Sequence, residues 1–190
     1  METWEINGHT LEFAEGSHTY LLDGIIVPSV TQALGRKFPG EYARVSEETL
    51  AKAAERGTAV HKSLENYCNG EDDGSEAVWD FKRLQKRHKI KPLRTETPVI
   101  IDGRIAGRVD LVAEIDGETA VADYKTTATL NKEKLTYQLN LYKIGIEQSY
   151  DILINKLFGI HIRDGKAKLV EVPILEGEEW KQELLNIAEA

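Results

Sequence analysis

Thr95 to Tyr142, TETPVIIDGRIAGRVDLVAEIDGETAVADYKTTATLNKEKLTYQLNLY, is the stretch whose reading decides the fold. Two Asp-Gly pairs, Asp102-Gly103 and Asp116-Gly117, separate short apolar runs. Asp-Gly between alternating hydrophobics is the strongest short-range hairpin signal. The spacing predicts three antiparallel strands, roughly 96–101, 104–114 and 118–125, folded back to back. Asn131 then caps a predicted helix whose apolar stripe is Leu135, Leu139, Tyr142 and Ile146. A turn centred on Asp116-Gly117 sets residues whose numbers sum to about 233 opposite each other, and Asp110 and Asp123 satisfy that sum. Directly opposed residues have Cβ atoms about 4.5–5.5 Å apart. Lys125 follows Asp123 by two positions, so strand alternation places it on the same face.

Two carboxylates and an ammonium on one small patch of sheet are costly to assemble. Like charges that close raise one pKa unless something positive is shared between them. A hard divalent cation with oxygen ligands answers that need. The plainer alternative is an Asp110–Lys125 salt bridge on a solvated sheet face.

Working outward, residues 3–27 read as short strands, Thr10–Ala14, Thr19–Leu22 and Ile25–Val27, with Asp23-Gly24 as a turn. Ser29 caps a short helix ending near Gly35, and 35–45 reads as a loop. Ser46, followed by Glu47 and Glu48, starts a helix that passes Gly57 and runs to about Cys68, with Val60, Leu64 and Tyr67 as its apolar stripe. Gly57 in mid-helix costs about 1 kcal/mol relative to alanine. Either a close approach to the backbone or a break into two helices explains it. Ser75 starts a further helix with Ala77, Phe81 and Leu84 inward, closed by Pro92. After the meander and its helix come a hairpin, Ile152–Ile162 with Lys168–Val172, and a C-terminal amphipathic helix from Leu175 to Glu189 with Trp180, Leu184 and Ile187 on one face. We expect an α/β (α+β) chain: a mixed sheet around a three-strand meander flanked by helices, in one domain of 1–190. Its N-terminal strands (1–45) form an appendage, its core spans about 46–173 and its last helix 175–189.

Composition narrows the function. With 41% hydrophobic and 29% charged residues the chain is ordinary for a globular protein, and no run approaches the 18 or so apolar residues of a membrane span. The N-terminus METWEINGHTLEF lacks the features of a signal peptide, and the lone Cys68 suits a reducing cytoplasm. The net charge of −8 speaks mildly against a nucleic-acid partner, but distribution outweighs the total. From Lys82 to Arg94, KRLQKRHKIKPLR holds seven Lys or Arg in thirteen residues. Lys82, Arg83, Lys86 and Arg87 are therefore candidates to track a phosphate backbone, a solvated helix face being the alternative. Arg104 and Arg108 precede Asp110 by even numbers, so on a regular strand they share its face and suit substrate phosphates.

The succession Gly-Arg-Val-Asp110, Asp123-Tyr-Lys125-Thr and Gln138-Leu-Asn-Leu-Tyr142, with Gly57-Thr-Ala-Val-His61 upstream, resembles the PD-(D/E)XK nuclease superfamily in its RecB-like exonuclease branch. His18-Thr-Tyr-Leu-Leu-Asp-Gly with Val27-Pro-Ser-Val-Thr is similar to the start of small phage-type and mitochondrial single-strand exonucleases. The resemblance implies a restriction-endonuclease-like αβββαβ core. It also implies that Asp110 and Asp123 bind metal, with the Tyr124 carbonyl as a third ligand and His61 contributing. Lys125 would position or activate the attacking water, and Gln138 and Tyr142 would form the Gln-x-x-x-Tyr element. Tyr142 fits the apolar stripe equally well. Glu65, one turn from His61, and Glu96, at the start of the first meander strand, are secondary candidates, each with an exposed-charge alternative. One cysteine excludes the four-cysteine iron–sulfur clamp of some relatives. The expected cofactor is one or two Mg²⁺ or Mn²⁺ ions. The expected activity is metal-dependent exonucleolytic hydrolysis of DNA, at single- or double-stranded linear ends, in recombination, repair or phage DNA processing. A homo-oligomer or a recombination partner would help hold the DNA. The rival expectations are a structure-specific endonuclease of the same fold and a catalytically silent DNA- or partner-binding module.

Overall fold

The computed structural model describes residues 1–40 and 45–189. Its first sheet is a run of hairpins, β1 (Glu2–Ile6), β2 (His9–Ala14), β3 (Thr19–Leu22) and β4 (Ile25–Val27), all antiparallel neighbours in chain order. Helix α1 (Val30–Lys37) follows, its N-terminus closed by a reciprocal capping box between Ser29 and Gln32. It runs through Gly35, where the sequence predicted a loop; residues 41–44 of that predicted loop lie outside the described residues.

Ser46 caps α2 (Glu47–Cys68) and Ser75 caps α3 (Glu76–Arg87), both through side-chain bonds to the third helical amide. The meander is β5 (Lys91–Ile101), β6 (Ile105–Ile115) and β7 (Glu118–Lys125). Pro92 does not close α3, which ends five residues earlier; it sits at the start of β5 beside a bulge between Pro92 and Arg94, where a missing N–H is tolerated. The turns take the left-handed conformations that Asp-Gly favours, with φ of 51° and 66° at Asp102-Gly103 and 50° and 91° at Asp116-Gly117. Helix α4 (Lys132–Tyr150), capped by Asn131, then crosses over to β8 (Lys156–Arg163), which pairs parallel to β7 before turning back as β9 (Lys166–Val172). The second sheet thus has the order β5-β6-β7-β8-β9, and α3-β5-β6-β7-α4-β8 gives the expected αβββαβ succession. The last helix, α5 (Glu179–Glu189), starts four residues later than expected.

Two cores sandwich this sheet. On one face Val99, Ile101, Val121 and Leu157 pack with Leu139 and Ile146 of α4, Leu34 of α1 and Leu184 of α5. On the other, Leu111, Ala113, Ala122, Tyr124 and Ile160 pack with Leu64 of α2 and Phe81 and Leu84 of α3. A third cluster seats the N-terminal sheet on Ile100 and Ala106. None of the described helices is long and apolar enough to cross a membrane.

Helix α4 must lie close on the sheet, because it carries Gln138 to the site. A Cβ at Gly145 would come 2.7 Å from Val99 Cβ, a contact with no flexible end to yield. Gly145→Val is therefore expected to lower the unfolding free energy by about 1–3 kcal/mol, despite valine's better helix propensity, as read by urea denaturation.

Candidate active site

The β6–β7 ladder runs from Ile115↔Glu118 to Leu111↔Ala122, so Asp110 and Asp123 are the next pair in register. They do not have equivalent surroundings. Asp123 is turned towards α4: its Oδ1 accepts from Gln138 Nε2 at 3.0 Å, and its Oδ2 lies 2.6 Å from Lys125 Nζ. The same ammonium donates to Gln138 Oε1 at 2.8 Å, which closes a three-membered network and fixes the amide's orientation. Tyr142, one turn further along α4, is buried above Gly107, where a Cβ would meet its ring at 2.9 Å. Burial pushes its hydroxyl well above the ordinary tyrosine range, and the Asp123 and Asp110 charges add to that.

Asp110 faces α2 and β5. Its Oδ2 accepts the Tyr124 amide at 2.8 Å and lies 3.4 Å from His61 Nδ1. His61 Nε2 donates to the Tyr124 carbonyl at 2.9 Å, so one imidazole bridges two of the expected metal-binding oxygens. Glu96 completes the cluster: its carboxylate, Asp110 and His61 each offer a ligand atom within 4.8 Å of the others. Sequence reasoning ranked Glu96 behind Asp123, yet Glu96 is the acid placed in this group. It holds a left-handed φ of 43°, rare for a long side chain, and the β5–β6 ladder pairs Thr95 with Leu111 and Thr97 with Val109 on either side of it. Glu65 stays at the periphery, paired to Lys62 at 2.9 Å. Gly57 reflects a close approach and not a helix break: α2 is continuous, and a Cβ there would come 3.3 Å from Thr126 Oγ1.

The electrostatics follow from this crowding. Burial lowers the His61 pKa, but the Asp110 and Asp123 carboxylates more than reverse that and raise it to about 9. Burial, then the Asp110 charge, raises Glu96 to about 7 against the pull of Arg108. Asp123 is raised, mainly by burial and by Asp110, with Lys125 opposing. Asp110 is held low: His61, Lys125 and the Tyr124 amide together overcome its burial. Asp123 Oδ2 is buried without an aligned hydrogen-bond donor among the described residues. Three carboxylates (Glu96, Asp110 and Asp123), a backbone carbonyl and an imidazole gathered on one patch make a donor set that fits a hard divalent ion. Asp110, Glu96 and His61 would hold it, with Asp123 and the Tyr124 carbonyl alongside.

The expected phosphate-binding residues fare differently. Arg104 lies in the β5–β6 turn, outside β6, and its guanidinium is tied to Glu189 and Asn186 of α5. Arg108 stacks on Trp4 and Phe13, pairs with Glu2 at 2.9 Å and reaches within 3.9 Å of Glu96, so it links the N-terminal sheet to the site. The face-sharing rule assumed a regular strand. In β6 the alternation breaks just after Asp110: Ile105 and Val109 face α4, whereas Leu111, Ala113 and Ile115 face α2 and α3, and Arg108 still reaches the Glu96 side of the site. Within the basic run, Lys82 pairs with Asp72 over the rings of Tyr67 and Trp79, and Arg83 pairs with Asp80. Lys86 and Arg87 are exposed on α3.

The architecture is an α+β fold whose central mixed sheet carries a candidate metal site. The model of the PD-(D/E)XK nuclease superfamily matches residues 70–189, which include Glu96, Asp110, Asp123, Lys125 and Gln138, and the chain belongs to that superfamily. Its fold is α+β, its members are nucleases that use divalent metals, and DNA is the substrate this membership implies. Among solved structures, it is similar to a crystal structure of SSO0001 at 18% identity and a TM-score of 0.48, over 85% of this chain and 72% of that one. No curated protein matches it.

Proposed function

We propose that this chain is a RecB-like exonuclease hydrolysing phosphodiester bonds at the ends of linear DNA with Mg²⁺ or Mn²⁺, in recombination, repair or phage DNA processing. One observation supports the RecB-like assignment above the others: the histidine of the Gly-x-x-x-His element sits between Asp110 and the Tyr124 carbonyl. Asp110, Glu96 and His61 would hold a divalent cation, which when bound would supply Lewis-acid stabilisation of charge on the phosphoryl oxygens. Lys125 orients the attacking water and offsets negative charge, because Asp123 and Gln138 hold its ammonium at a fixed point. Gln138 keeps that ammonium and the Asp123 carboxylate in register, and His61 keeps the Tyr124 carbonyl from turning away.

The test is nucleotide release from end-labelled linear single- and double-stranded DNA beside a closed circle, with Mg²⁺, Mn²⁺ or EDTA. Metal-dependent digestion of linear DNA alone is the expected result. Nicking of the circle transfers the assignment to an endonuclease. Binding of metal and DNA without any cleavage overturns the enzymatic assignment in favour of a binding module.

A further inference from the structure

The loop that follows Lys125 is held in an unusual way. Arg56 of α2 donates to the Thr126 carbonyl at 2.7 Å, and Arg163 of β8 donates to that same oxygen at 3.2 Å. His61 is one turn further along the helix that carries Arg56, and His161 meets the next carbonyl, Thr127, at 2.8 Å. Two guanidiniums on one neutral oxygen leave most of their charge unanswered. Arg163 has Asp164 at 3.4 Å, a carboxylate that is 81% exposed, and among the described residues Arg56 has no ion pair.

Strand register extends this charge away from the site. Lys125 pairs with His161, His161 with Lys168, and Arg163 with Lys166, so one transverse row crosses β7, β8 and β9 and a second begins beside it. At about 4.8 Å between strands, the row from Lys125 to Lys168 covers about 10 Å, or about three nucleotides of a stacked strand. Around the free edge of β9, on the face where Ala167 and Leu169 pack towards α3, a cleft of about 260 Å³ is lined by Arg83, Arg87, Lys166 and Lys168, with Asp80 as its acid, so row and cleft are joined over that edge. The basic run therefore divides: Lys82 pairs with Asp72 and Arg83 with Asp80 and the Gly165 carbonyl, while Arg87 joins this strip beside them.

We propose that the strip from Arg56 and Arg163 across Lys168 to the Arg83–Arg87 cleft is where the backbone of the DNA strand lies as it runs to or from the metal site. The assignment rests on the nuclease function proposed above, and it adds the strand's path. Two arginines converging beside Lys125 present forked donors to one phosphate, the geometry at which arginine exceeds lysine. Lysines on the edge strand β9 also deter sheet-to-sheet pairing, so the decisive residues are Arg56 and Arg163.

Affinity for a short fluorescent single-stranded DNA, measured by anisotropy in Ca²⁺ over a range of salt, tests this independently of cleavage. Arg56→Ala/Arg163→Ala is expected to weaken binding about tenfold or more and to make the slope of log K against log salt shallower by about 1.4, two phosphate contacts at about 0.7 each. Arg163→Lys, which keeps the charge, is expected to retain the slope, and so is Lys156→Ala at the opposite end of β8. An unchanged slope in the double variant overturns the path, whether or not affinity falls, because loop displacement alone removes no counterion release. Cleavage by wild type with that unchanged slope leaves the nuclease standing without this strip; a shallower slope in a chain that cleaves nothing leaves the strip without the nuclease.

Discussion

Lys125→Ala is expected to lose about 10²–10³-fold in metal-dependent hydrolysis of linear DNA while binding the divalent cation at least as tightly as wild type. The two effects separate because Lys125 and a metal compete for one neighbour. The ammonium lies 2.6 Å from Asp123 Oδ2, the buried oxygen that has no aligned hydrogen bond. Without it, Asp123 keeps the Gln138 amide on Oδ1 and presents Oδ2 to a cation unopposed. The missing positive charge also makes Asp123 harder to ionise in the metal-free state, since Lys125 is the largest influence lowering its pKa. A bound divalent ion replaces that influence. Turnover, by contrast, loses the group that orients water and offsets charge. Calorimetric titration with Mn²⁺, beside the end-labelled digestion assay, reads both quantities. Activity within tenfold of wild type removes Lys125 from the chemistry. Joint loss of activity and metal binding makes it a structural support for Asp123.

Much of this site was legible because its determinants are local. An Asp-Gly turn dictates its own hairpin, so the register that aligns Asp110 with Asp123 followed from counting residues. Ser29, Ser46, Ser75 and Asn131 each cap the helix that their side-chain chemistry predicts. The Gly57–His61 spacing placed one small residue and one imidazole on consecutive turns of α2. What escaped depends on contacts distant in sequence. Glu96 is left-handed, and nothing in Thr95-Glu96-Thr97 announces that conformation. Arg104 follows a glycine turn and looked like a strand residue, but α5, some eighty positions later, captures it. Pro92 carries the usual mark of a helix end and opens a strand, because a bulge at the sheet margin spares its missing donor.

Glu96→Gln is expected to stabilise the metal-free protein and weaken its hold on metal. Glu96 is raised to about 7 from an ordinary 4.5, by burial first and the Asp110 charge second. For an acid raised in the folded state, the favourable contribution is complete below pH 4.5 and is lost as pH rises through 7. Wild type therefore carries an ionised, unfavourably placed carboxylate at pH 8, whereas glutamine mimics the protonated acid at every pH. Its side chain is only 25% exposed, so solvent screens part of the penalty. The expected gain is about 2–3 kcal/mol at pH 8 in EDTA, vanishing near pH 4, by urea denaturation. Against this, a carboxylate leaves the group it forms with His61 and Asp110, and Mn²⁺ affinity is expected to fall on the order of tenfold or more. Ligand binding to the folded state alone stabilises it, so saturating metal should narrow or invert the stability order of the two proteins. Destabilisation of the variant in EDTA at pH 8, or an unchanged affinity for Mn²⁺, would return Glu96 to the status of a strand-edge charge and leave the metal to Asp110, Asp123 and His61. The expected crossing places the left-handed kink at Glu96 among the strained features that a protein keeps because its ligand, and not its fold, requires them.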